Sequence, residues 1–139
     1  WTDRIGPVAA LKTLEIMEKT KSWEKITEIG KKIVKKWKFL GEKYDLPMEI
    51  YGIPALSNFT LISKNNLAYK TFITQKMIES NILSNNIIYS SVAHSNKILN
   101  YYFKTLEPIF QKITDFENGE DVKKYIKGPV IVKNFRNIV

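Results

Sequence analysis

The sequence predicts an α+β domain: a small, mainly antiparallel sheet with helices packed on one face. Three observations predict it. Apolar residues recur at helical spacing over both ends of the chain. Short runs rich in β-formers, bounded by turn residues, fill the middle. Strands alternate with helices, and there is neither an internal repeat nor a low-complexity linker. The 139 residues are 44% hydrophobic and 26% charged, values that fit one globular domain with a core of its own.

The expected order is α-α-β-β-α-β-α-α. Gly6-Pro7 start the first helix, with Pro7 at the first helical position, where its missing N–H costs nothing. Val8, Leu11, Leu14 and Met17 then form one apolar stripe. Ser22 caps the second helix, whose stripe is Ile26, Ile29, Ile33, Trp37, Leu40 and Tyr44. Lys25, Lys31, Lys32, Lys35, Lys36 and Lys38 crowd the rest of its surface. Past Leu46-Pro47 the pattern changes. "MEIYGIP" and "SNFTLIS" read as two strands of a hairpin. Asn65-Asn66 precede a third helix with Leu67, Phe72, Ile73 and Met77 on one face. Asn81 ends it, because Asn tolerates the left-handed conformation that a helix end requires. "NNIIYSSV" is the third strand. Ser95 caps a long fourth helix carrying Ile98, Leu99, Tyr102, Leu106, Ile109 and Ile113. Pro108 is expected to kink or split it near Glu107. A last short helix, Asp121 to Lys127, stops at Gly128-Pro129. The tail "VIVKNFRNIV" is a strand or an extended arm.

Composition bounds the function. No apolar run approaches the roughly 18 residues that span a bilayer, so no membrane partner is expected. The absence of cysteine removes disulfides and thiolate metal sites and fits a cytoplasmic protein. The net charge is +8, which raises the alternative of a basic nucleic-acid-binding module. Of the 22 basic residues, however, only Arg4 and Arg136 are arginines, and the arginine fork is what grips phosphate oxygens in pairs. The lysine run is read as a solvated helix face, and no nucleic acid is expected. A protein-interaction module is the other alternative.

Little in the chain looks like a complete active site. His94, the single histidine, lies in "SVAHSNK" at a strand-to-helix junction and reads as a structural residue bonded to local backbone. One histidine cannot found a His-pair metal site, and no metal is expected. Glu15 with Glu18, and Glu24 with Glu28, have helical spacing but read as partners of nearby lysines. Trp23 and Trp37 read as core or interface anchors rather than base-stacking platforms. The exception is "TDRIGP", which sets a hydroxyl, a carboxylate and a guanidinium in a turn before a helix N-terminus. Free N–H groups and the helix dipole favour an anion there, and Thr2 could donate its hydroxyl to a phosphate oxygen.

"WTDRIGPVAALKTLEIME" resembles the segment opening the C-terminal small domain of class III aminotransferases, pyridoxal-phosphate enzymes of fold type I. It looks closest to the glutamate-1-semialdehyde aminomutase-like branch. Trp1, Thr2, Arg4, Ile5, Gly6 and Pro7 are in step, and Asp3 stands where the family has Glu. Downstream, "GIPALSNFTL", "TFITQKMIESNIL", "YSSVAHSNKIL" and "DVKKYIKGPV" are similar, in order, to further family segments, so the resemblance covers nearly the whole chain. Lys76 for Glu, Asn81 for Gly and the tail "IVKNFRNIV" depart from the pattern. The resemblance implies one domain, residues 1–139, that is the C-terminal part of a longer homodimeric enzyme. Its reaction would be amino-group transfer, as transaminase or aminomutase, on a small amino compound with pyridoxal 5'-phosphate. The lysine that carries the cofactor would lie in the large domain, so no catalytic residue is assigned here and the chain alone is expected to be inactive. The partners implied are the large domain and a second identical subunit. Thr2 matches the family threonine that reaches the cofactor phosphate of the other subunit.

Overall fold

A computed structural model describes residues 3–132. Helices α1 (Ile5–Thr20) and α2 (Ser22–Lys43) are separated by one left-handed residue, Lys21 (φ 49°, ψ 46°). The hairpin β1 (Met48–Ile53) and β2 (Leu56–Leu61) follows, then α3 (Asn66–Glu79), β3 (Ile87–Tyr89) and α4 (Asn96–Glu117), with a 3-10 turn at Val122–Tyr125. The expected class is present, and so is the expected order up to α4, with a 3-10 turn in place of the expected last helix. The sheet is antiparallel in the order β1-β2-β3.

Strand β2 shows why the helices lie on one face. Ser57, Phe59 and Leu61 are buried, while Leu56, Asn58 and Thr60 are not, the period of two of a strand covered on one side. Phe59 is the junction of the layers. Its ring meets Trp37 of α2 edge-on at 4.9 Å and Phe110 of α4 at 5.7 Å. Ile33 and Leu40 extend this core along α2, and Leu106 and Ile113 extend it along α4. Phe72 and Tyr69 of α3 close the far side against Phe116. The opposite face of the sheet stays open, with Tyr51, Ile53 and Tyr89 exposed.

Local chemistry accounts for most boundaries. Asn81 has φ 58°, and the amides of Asn81 and Ile82 donate to Ile78 and Met77. This pair of bonds closes α3 with a Schellman turn. Ser95 caps α4 by accepting from the Ile98 amide. Asp121 caps the 3-10 turn through Lys123.

Five expectations are corrected. Pro7 is the third residue of α1, since the helix already begins at Ile5; the Asp3 carboxylate accepts from the Ile5 amide at 2.9 Å and starts it early. Ser22 is not a cap. The left-handed Lys21 occupies that position, and Ser22 Oγ is buried without a partner among the described residues. Pro108 does not split α4. It removes one bond to the carbonyl of Lys104, and both residues lie on the exposed side of the helix, where water can replace that donor. Ile98 is exposed rather than part of the α4 stripe, whose buried residues begin at Leu99. The last helix shrinks to one 3-10 turn ending at Tyr125.

Beyond it the chain is strapped to α3. Gln75 donates to the Tyr125 carbonyl at 2.9 Å and accepts from the Lys127 amide at 2.8 Å. Thr71 accepts from the Ile131 amide at 3.0 Å. Glu79 completes the row through Lys127 Nζ at 2.7 Å. The positions 71, 75 and 79 repeat every four residues, so one face of α3 anchors the strap. Residues 133–139 of the expected tail lie outside the described residues.

The strap carries a pH prediction. Its hydrogen bonds from Lys127 and then Lys76 hold the Glu79 carboxyl down at about 2, against 4.5 ordinarily. A lowered carboxyl stabilises the fold above its unfolded value and loses that contribution as pH falls through the folded one. Acidification from 4.5 to about 2 is therefore expected to loosen the strap. The Lys127 backbone amide, followed by NMR, should titrate in this window, and Glu79→Gln should abolish that titration. An amide that ignores both changes would contradict the coupling.

Candidate functional site

The N-terminal turn is only partly within the described residues. Thr2 lies outside them, so its expected role is carried by no geometry. Asp3 and Arg4 are exposed. Two backbone donors of the turn are committed. Asp3 holds the Ile5 amide, Pro7 has none, and the Val8 amide donates to the Arg4 carbonyl at 3.1 Å. The Arg4 and Gly6 amides and the Arg4 guanidinium donate to nothing among the described residues. Asp3 also puts a negative charge where an anion would bind, which satisfies the helix dipole without one. Within the described residues the turn offers a phosphate ester these donors, set against the Asp3 carboxylate.

The other candidates resolve as structural. The His94 Nδ1 accepts from the Ser91 amide at 3.1 Å, and the His94 amide donates back to the Ser91 carbonyl at 3.0 Å. The ring thus ties off the turn between β3 and α4. Glu15 pairs with Lys12 at 2.8 Å and Glu24 with Lys21 at 3.8 Å, exposed pairs of small energetic weight. Trp37 is a core residue whose indole N–H donates to the Tyr102 hydroxyl at 3.1 Å, while Trp23 is exposed. Among the described residues no group of three or more His, Cys, Asp or Glu side chains could hold a metal ion.

Two surface features stand out instead. The first is α1. It carries six large apolar residues and buries none of its side chains; Val8, Leu11 and Leu14 are 63%, 69% and 60% exposed. The sequence showed the stripe, but nothing local could show that the chain leaves it uncovered.

The second is a groove of about 650 Å³ between α2 and the β1-β2 hairpin. The two elements touch at Gly30, where a Cβ would come within 1.8 Å of the Pro54 carbonyl oxygen. The groove runs from that contact towards the end of α2. Lys31, Lys35 and Lys38 line it, together with Phe39, Ile50 and Pro54. Spacing of four and three puts the lysines on one side of α2. Their alignment was readable in the sequence; the hairpin opposite them was not.

A second depression, of about 580 Å³, lies between α3 and α4. Its charges are largely matched to one another. Lys76 pairs with Glu79 at 2.8 Å, and Lys112 with Glu120, which also accepts from the Tyr125 hydroxyl. Those bonds raise the Lys112 ammonium above its ordinary range.

Comparison with known proteins adds no identity: no family model, curated protein or solved structure matches the chain. No helix among the described residues is long and apolar enough to cross a membrane.

Proposed function

We propose that the chain is the small, C-terminal domain of a pyridoxal-phosphate-dependent aminotransferase or aminomutase. The observation that carries this reading is α1. Most of its residues belong to the "WTDRIGPVAALKTLEIME" stretch in which the resemblance begins, and its apolar stripe is exposed. Six large apolar residues on an uncovered helix favour a partner surface, and a large domain of the same enzyme would supply it. The open sheet face, with Tyr51, Ile53 and Tyr89, offers a second such surface.

The cofactor, when bound, supplies an electron sink for breaking the bond from the substrate Cα to hydrogen. The residues described here take no part in that step. In this reading the domain positions the enzyme's other parts, and the Thr2 hydroxyl donates to a cofactor phosphate of the neighbouring subunit. A small amino compound is the substrate, and the cytoplasm the location.

The test compares the chain alone with the chain joined to its large domain. Alone, it is expected to take up no pyridoxal phosphate that borohydride can fix to a lysine. Joined, it should bind the cofactor and transfer amino groups. Thr2→Val should then weaken cofactor binding by about tenfold, the loss of one hydrogen bond to a charged group. Borohydride fixation to a lysine of the isolated chain, or an assembled protein indifferent to the cofactor, would refute the assignment.

A further inference from the structure

We propose that the groove between α2 and the hairpin docks an acidic amphipathic segment of another protein. The inference is independent of the aminotransferase reading, since it uses neither α1 nor a cofactor.

A lysine run on a helix is by default a solvated face. Three of these lysines differ from the others in where they stand. Like the rest of the α2 run, Lys31, Lys35 and Lys38 meet no carboxylate among the described residues, but they alone of the run line the groove and border an apolar strip. Phe39 is 47% exposed, with the Lys36 ammonium 4.5 Å above its ring. Ile50 and Pro54 line the groove across from it.

That combination selects the ligand. Lysine is a point charge without the fork that reads phosphate in pairs, and Arg4 is the single arginine among the described residues. The groove therefore matches carboxylates spaced along a helix or extended segment, with apolar side chains beside them to cover Phe39 and Ile50. Glu42, at the far end of the groove, sets direction. The segment should present its acidic part to Lys31, Lys35 and Lys38 and a neutral or basic residue to Glu42. The chain's +8 charge would steer such a partner in over long range.

The experiment titrates the full chain with a labelled synthetic peptide of about four helical turns. Glutamates form one stripe and leucines the next. Binding is expected at low salt. Lys31→Gln, Lys35→Gln and Lys38→Gln combined should weaken it about tenfold, as three part-exposed ionic contacts would. Phe39→Ser should weaken it without altering charge. The triple change Lys64→Gln, Lys97→Gln and Lys123→Gln, with the same loss of net charge, should leave it intact. In the unaltered chain, NMR shifts on binding should cluster in residues 31–42 and 50–54. Failure to bind would overturn the proposal. So would equal weakening by the control triple, shifts spread elsewhere, or equally tight binding of polyglutamate or oligothymidylate, which would reveal a generic cationic surface.

Discussion

Gly30→Ala is expected to destabilise the fold by about 3 kcal/mol or more, the upper range for overpacking. Helix propensity alone predicts the opposite sign, a gain of about 1 kcal/mol for replacing a mid-helix glycine. The structure decides between them. The new Cβ would lie 1.8 Å from the Pro54 oxygen and 2.4 Å from its carbon. This is backbone against backbone, so no rotamer change relieves it. The carbonyl cannot retreat cheaply either, since it accepts from the Ser90 hydroxyl at 3.1 Å, and Ser57 bonds the adjoining Ile53 carbonyl at 3.1 Å. Moving it would pull the hairpin, and Phe59 with it, away from Trp37. Two internal controls grade the effect. Gly41→Ala meets the movable Met48 methyl at 2.8 Å and should cost less. Gly6→Ala meets nothing within 4 Å and should be neutral or gain up to about 1 kcal/mol. Urea midpoints of the three variants provide the measurement. A Gly30→Ala protein as stable as the parent would show that α2 and the hairpin do not touch there.

Trp37→Ala should cost about 3–5 kcal/mol, the range for a large aromatic removed from a core, against a total stability of about 5–15 kcal/mol. Trp37 is fully buried and links three elements: its own helix, β2 through Phe59, and α4 through the Tyr102 hydroxyl. The hydrogen bond can be separated from the packing. Burial drives the Tyr102 phenol above its ordinary range, so it stays neutral as the indole's acceptor. Tyr102→Phe strands the indole N–H, a loss of about 1–3 kcal/mol for an unsatisfied buried donor. Adding Trp37→Phe removes both polar partners, so the double variant should lose less than the two single changes together. Strict additivity in denaturant unfolding would mean that the bond is not made.

Much of the fold was legible because helices and strands write their periods locally. The stripe from Ile33 to Leu40 and the end signal at Asn81 need only neighbours in sequence. The misreadings share a cause. Ser22 looks like a cap, but the chain turns at Lys21, where a left-handed residue closes α1 and opens α2 together. Pro108 looks like a break, but packing on both sides of it, from Leu106 to Ile113, holds one helix. Such outcomes depend on contacts far along the chain. The same holds for the surfaces. The lysine spacing was visible, yet its groove exists only because the hairpin folds back over α2. The strap from Gln75 to Lys127 joins residues about fifty apart, beyond any local pattern. Of the candidate site, Thr2 rests on resemblance, while His94 was legible as a local backbone tie.

The left-handed residue at position 21 has a mechanical consequence. Without it, the chain from Ile5 to Lys43 would be a straight rod of about 58 Å at the usual rise per residue, projecting well past a domain of this size. One pair of torsions at Lys21 makes the rod an elbow. The bearing of the forearm relative to the sheet is set there, so a swap of that single residue would redirect α1 while leaving the core beneath α2 untouched.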